Sequence, residues 1–275
     1  MPINATSNVH FNTSAAGSGY VLPGEVGYLG DEGDLTVRSD PSGVISNVGP
    51  GTWDHYYFQD GLYIGSSDGD YVFTNCIFEG TEDSWLILAF EGGTSFTFED
   101  CTFRWHAGDT LSTNGAAAIQ SLDVADPIPG ITMRRCDISG KADGIQVAAT
   151  SLIEDTYIHD LVWAGTPPDN THNDGIQIYA GNLTVTGCYI DVGAQAPYSN
   201  SCMFFQGADI ANVTVTDTYM SGGGYSYYVQ NGTHTVLRCT FGPDHLYGTH
   251  TFEGSGWTLV EWSNNVDHLG DPVSF

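Results

Sequence analysis

Two short units of hydrophobic and polar positions alternate along the chain. The first ends in two apolar or small residues followed by Gln or Glu. Its copies are Ala89-Phe90-Glu91, Ala118-Ile119-Gln120, Gly144-Ile145-Gln146, Gly175-Ile176-Gln177, Phe204-Phe205-Gln206, Tyr228-Val229-Gln230 and Thr251-Phe252-Glu253, with degenerate forms at Tyr28-Leu29-Gly30 and Tyr63-Ile64-Gly65. The second is an alternating strand, a kink and another short strand, as in Phe96-Thr97-Phe98-Glu99-Asp100-Cys101-Thr102-Phe103 and Ile131-Thr132-Met133-Arg134-Arg135-Cys136-Asp137-Ile138. Later copies centre on Thr156, Cys188, Thr218, Cys239 and Ser263. Alternation with a period of two marks strands rather than helices.

Strands this short cannot bury a face alone, so a repeat of roughly 20–35 residues implies coils stacked into parallel sheets around one continuous core. The pattern predicts an all-β fold, a parallel β-helix (solenoid) of about nine coils, on the order of 40 Å long at the spacing of neighbouring strands. Coil length varies, whereas a left-handed hexapeptide helix needs near-constant coils, so the predicted hand is right. The expected organisation is an N-terminal arm or cap over 1–26, the β-helix over 27–266 and a C-terminal cap over 267–275. Caps are expected because open strand edges invite pairing with other chains.

Five of the six cysteines, Cys76, Cys101, Cys136, Cys188 and Cys239, fall at one repeat position, which Thr156, Thr218 and Ser263 fill elsewhere. That pattern predicts an inward stack of small side chains with free thiols. Cys202 lies off it. Gln120, Gln146, Gln177, Gln206 and Gln230, flanked by Glu91 and Glu253, predict a second ladder of stacked amides.

Composition narrows the partners. Thirty-three Asp and Glu against six Lys and Arg give a formal charge of −27. Nucleic acid and anionic membranes are bound through clustered Lys and Arg, so neither is an expected partner. No apolar run is long enough to span a bilayer, and the first residues show no secretory signal.

Candidate chemistry centres on Lys141-Ala142-Asp143-Gly144 and His172-Asn173-Asp174-Gly175. Asp143 and Asp174 share a repeat position on successive coils, at about the separation of a retaining glycosidase pair. With His172 and Lys141 upstream, and His159 between, they form a candidate acid/base set. The alternative is a turn, in which Asp accepts backbone hydrogen bonds. Gln146, Gln177 and Gln206, with Trp163, Tyr179 and Tyr198, are the expected sugar-facing residues, since aromatic faces and amides both suit sugars. Asp31, Asp34, Asp68 and Asp70 lie in acidic turns expected to stack, which would suit Ca²⁺; the alternative is solvated turns, and no cofactor is required.

These repeats, from about Gly27 to Val266, resemble the pectate-lyase-like superfamily, which contains polysaccharide lyases, polygalacturonase-type hydrolases, sugar epimerases and phage tailspikes. Asn173-Asp174-Gly175 resembles the Asn-x-Asp-Gly element of the hydrolases. Their Asp-Asp, Gly-His-Gly and Arg-Ile-Lys elements have no counterpart in this chain, and the lyases' basic pair beside an acidic cluster is likewise missing. The resemblance implies a phage-like virion-surface or tail-associated protein, structural or binding host glycan, with other virion proteins as partners and a homotrimer as one assembly. Its location would be the virion or the extracellular space. The alternative it implies is a carbohydrate-active enzyme, a lyase or glycoside hydrolase, acting on an acidic polysaccharide.

Overall fold

The computed structural model describes residues 19–65, 69–81, 87–91, 95–108, 117–121, 130–163, 165–166, 169–193 and 199–275. The strands form three parallel ribbons visited in strict rotation. The first ribbon holds the apolar-apolar-Gln units, from Leu62–Ile64 through Asp143–Val147 to the opening halves of Asn173–Thr186, Ser199–Thr216, Tyr225–Leu237 and Gly248–Ser263. The second runs from Gly51–Asp54 through Ile131–Arg134 to the closing halves of those same four strands. The third contains ten short strands, from Thr36–Arg38 to Val266–Asp267. Parallel pairing between successive coils makes this a parallel β-helix, as the repeat predicts.

One residue turns the chain between the second and third ribbons. It is left-handed in all nine coils: His55, Asn75, Asp100, Arg135, Asp155, Gly187, Asp217, Arg238 and Asn264. Asn, Asp and Gly adopt this conformation at least cost. Arg135 and Arg238 lack that advantage. Each is instead clasped by the corner carboxylate of an earlier coil, Arg135 by Asp100 and Arg238 by Asp217. The residue after each corner faces inward. There the thiols of Cys76, Cys101, Cys136, Cys188 and Cys239 donate to the carbonyl two residues back, as do the hydroxyls of Thr156 and Thr218. Cys and Thr alternate at this position because each supplies a short donor. The last member of the stack is Asn265, not Ser263: the corner falls at Asn264, and Asn265 Oδ1 accepts from the Cys239 amide at 2.9 Å. All six thiols are free and buried. We expect no reaction with a thiol reagent in the native protein and six equivalents after denaturation; any native reaction would contradict the inward stack.

The core changes composition along the rod. Early coils carry aromatic stacks, Phe58–Phe78–Phe103 at 5.0 and 4.6 Å between ring centres and Phe73–Phe98 at 5.3 Å. Ile and Val dominate from Ile131 to Val192, and aromatic rings return with Phe205, Tyr227 and Phe241 in the last coils. The N-terminal arm does not cover the end of the rod over its described residues. It runs along the side: the Val21 amide donates to Gly187 O, the Gly27 amide to Arg135 O and the Tyr28 amide to Thr102 Oγ1. Gly27 (φ +86°) seats where a Cβ would lie 2.7 Å from both Asp137 Cβ and Thr102 Oγ1, so only glycine fits. At the other end, Trp262 Nε1 donates to Val273 O and Phe275 packs on Phe252.

Candidate functional site

Asp143 is the first residue of its strand and Asp174 the second of its own, on adjacent coils of the first ribbon, both buried. The glycine after each, Gly144 and Gly175, leaves no room for a Cβ, which would press on Ile158 and Ile190 respectively. Asp143 Oδ1 accepts from the Asp174 amide at 2.8 Å and Oδ2 from Gln146 Nε2 at 2.6 Å. Asp174 Oδ1 accepts from Ser201 Oγ at 2.6 Å and Oδ2 from Asn200 Nδ2 at 3.2 Å. Every carboxyl oxygen of the pair therefore already has a donor within the rod. Burial, then the charge of Asp174, raises Asp143 well above the usual carboxylate range; burial lifts Asp174 to about 6.

The other two members of the expected acid/base set are Lys141 and His172. Lys141 is buried with its Nζ 4.4 Å above the Trp105 ring, and burial lowers it to about 8. His172 is exposed. His159, on the third ribbon, serves a different cluster. Its Nδ1 faces Asp160 at 2.8 Å and its Nε2 faces Asp137 at 3.0 Å, while the ring stacks on Tyr157 at 3.8 Å. Two carboxylate partners require both ring nitrogens to donate, so this is an imidazolium. Burial opposes its charge, the two acids outweigh burial, and it rises to about 9.

The Gln ladder is real over three coils and then shifts. Gln120, Gln146 and Gln177 are in register, and Gln146 Nε2 donates to Gln177 Oε1 at 3.0 Å. The residue beside Gln177 is Phe204, followed by Tyr228. Residues Ile178 and Ala180 pair with Phe205 and Asp209, so the longer strand bulges by two residues there, and Gln206 stands two places beyond the column. It is exposed, and Gln177 Nε2 still reaches its Oε1 at 3.5 Å. Ala89 rather than Glu91, and Thr251 rather than Glu253, occupy the flanking positions. Ser201 pairs with Asp174. Cys202 then falls in the small-residue column of Gly144 and Gly175, its thiol donating to Ser221 O at 3.1 Å.

Residues 55–255 match the family model described as a right handed beta helix region. The chain belongs to the right-handed β-helix family. No curated protein and no solved structure matches it.

The remaining expected residues take their places on this β-helix as follows. Trp163 and Tyr179 are half-buried; burial, then the charges of Asp143 and Asp174, raises the Tyr179 phenol. Tyr198 and Asp68 lie outside the described residues. Asp31 and Asp34 are not in register with Asp70. Asp31 Oδ1 caps a short turn through the Gly33 amide, and Asp34 lines a cavity with His55, Asn75 and Asp100 beside the left-handed corners. Asp70 sits at the far end of the strand Asp70–Thr74, roughly 13 Å away at the rise of an extended chain, and accepts from Ser95 Oγ. Among the described residues no group of three or more His, Cys, Asp or Glu is placed to hold a metal ion. Sequence reasoning missed Asn200, Ser201 and Tyr247. The bulge hid the first two, and Tyr247 lies outside both repeat units.

Proposed function

We propose that this β-helix is a glycan-docking rod of the kind displayed on a virion surface or tail, and that it binds through the outward face of the first ribbon. The observation that carries this reading is the commitment of all four dyad oxygens to donors within the rod. A catalytic pair needs at least one oxygen turned to substrate. What the face offers outward is amide and ring: Gln206, which is exposed, with Tyr179 and Tyr228, which are half-buried. The charge also constrains the glycan. Arg104, Arg134, Arg135 and Arg238 are held in ion pairs, Arg38 lies over Trp53, and Lys141 is buried against Trp105. A polyanionic glycan would meet a formal charge of −27. The superfamily resemblance, which takes in tailspikes, supports the virion setting.

The test pairs binding with turnover. Titration calorimetry on a panel of cello-, chito- and galacturono-oligosaccharides would measure binding, and reducing-end release from the parent polymers would measure turnover. Binding without release is expected. Release that vanishes in Asp143→Asn/Asp174→Asn would replace this reading with a glycoside hydrolase.

A further inference from the structure

We infer that the C-terminal coils carry a tyrosine platform, Tyr225, Tyr228 and Tyr247, that stacks on an uncharged pyranose of the bound glycan. The inference rests on the docking role proposed above and names the subsite and the class of sugar.

The platform is built by reciprocal packing of rings over glycines. Tyr225 pairs with Gly248, whose Cβ position would lie 3.6 Å from Tyr225 Cε1. Tyr247 hangs over Gly224 of the preceding coil, whose Cβ position would lie 3.4 Å from Tyr247 Cδ2, and the Tyr247 amide donates to Gly224 O. Each ring is thus seated where its neighbour has no side chain. The two ring centres come to 5.6 Å at 45°, and Tyr228 adds a third face 6.0 Å from Tyr225 at 65°. Phe204, nearly buried, backs Tyr228 at 5.0 Å. Tyr247 is 69% exposed, so a large apolar face with a phenol edge is open to solvent. Such a surface suits the C–H face of a pyranose, with the phenol available for hydroxyls.

Polar groups at the rim select against charge. Tyr228 Oη donates to Glu253 Oε2 at 2.6 Å, and Gln230 Nε2 donates to the same phenol at 3.3 Å. The nearest charge to the rings is therefore a carboxylate, which a uronate would oppose and a neutral hexose or N-acetylhexosamine would not. The platform also adjoins the dyad face. Asn200 O accepts from the Gly224 amide while its Nδ2 holds Asp174, so one residue joins the two surfaces.

The test is titration calorimetry of the full chain with chitotetraose, cellotetraose and tetragalacturonate. Wild type should bind at least one of the two uncharged sugars and not the uronate. Tyr247→Ala should weaken that binding by roughly tenfold, Tyr247→Phe should retain most of it, and neither should change thermal unfolding. Binding of an uncharged sugar that survives both Tyr247→Ala and Tyr225→Ala would overturn the platform and leave the docking role standing. Binding of the uronate alone would overturn the assigned class. No binding of any of the three would overturn the platform and the docking role together.

Discussion

Asp143→Asn is expected to stabilise the β-helix more at pH 7.5 than at pH 5. Burial keeps Asp143 protonated in the folded state well above the usual carboxylate range, whereas the unfolded chain releases that proton near pH 4. The folded state then binds more protons than the unfolded one, so stability falls as pH rises above that value. An asparagine carries no such term. Its Oδ1 still accepts the Asp174 amide, and turning the Gln146 amide away costs about 1 kcal/mol at either pH. The wild-type profile alone would not isolate the dyad. His234, held neutral by burial with its pKa lowered to about 4, loses stability as pH falls through 6.5, in the opposite direction. His159, raised to about 9, contributes stability that is complete below 6.5 and is lost as pH climbs through 9. Both histidines cancel in the difference between variant and wild type. Urea unfolding of the two proteins at the two pH values gives that difference. Parallel pH profiles would show that Asp143 ionises normally.

The fold was legible in the sequence because a solenoid writes its geometry once per coil. The kink before each Cys or Thr is the left-handed corner, and the corner residues are mostly those for which that conformation costs least. Parallel stacking followed from strands too short to bury a face. The site was legible as far as the register held. Asp143, Asp174, Gln146 and Gln177 were placed together by repeat position alone, and they do lie together. The two-residue bulge after Phe205 has no marker beyond Gly207, whose Cβ position would collide with Tyr179 O, so matching Phe204-Phe205-Gln206 to Gly175-Ile176-Gln177 slipped the next coil. Lys141 was harder to place for a different reason. Two residues of separation along a strand fix a face only when the strand has begun, and Lys141 precedes Asp143–Val147, in the turn where its chain folds back over Trp105.

Phe98→Ala is expected to cost about 3–5 kcal/mol, the range for deleting a buried ring that its neighbours cannot collapse to fill. Phe98 is fully buried among Phe73, Phe103 and Phe78, with ring centres 5.3, 5.4 and 5.9 Å away. These rings already stack on one another, so none can swing into the cavity without breaking a second contact. In a solenoid held only by neighbouring coils, such a loss would free the coils on the N-terminal side as a separate unit. The arm opposes that. It binds the coils of Gly187, Arg135 and Thr102, and Glu32 pairs with Arg104 at 2.7 Å before the chain enters the first coil at Thr36, whose amide donates to His55 O. Coils far apart along the rod are tied by one continuous segment. Phe98→Ala should therefore lower the denaturant midpoint while keeping a single transition. Adding Gly27→Val, which lifts the arm off Asp137 and Thr102, should split unfolding into two steps, the earlier one belonging to the coils before Ile131. A split already present in Phe98→Ala alone would mean that the arm couples nothing, and that nearest-neighbour stacking accounts for the cooperativity of the rod.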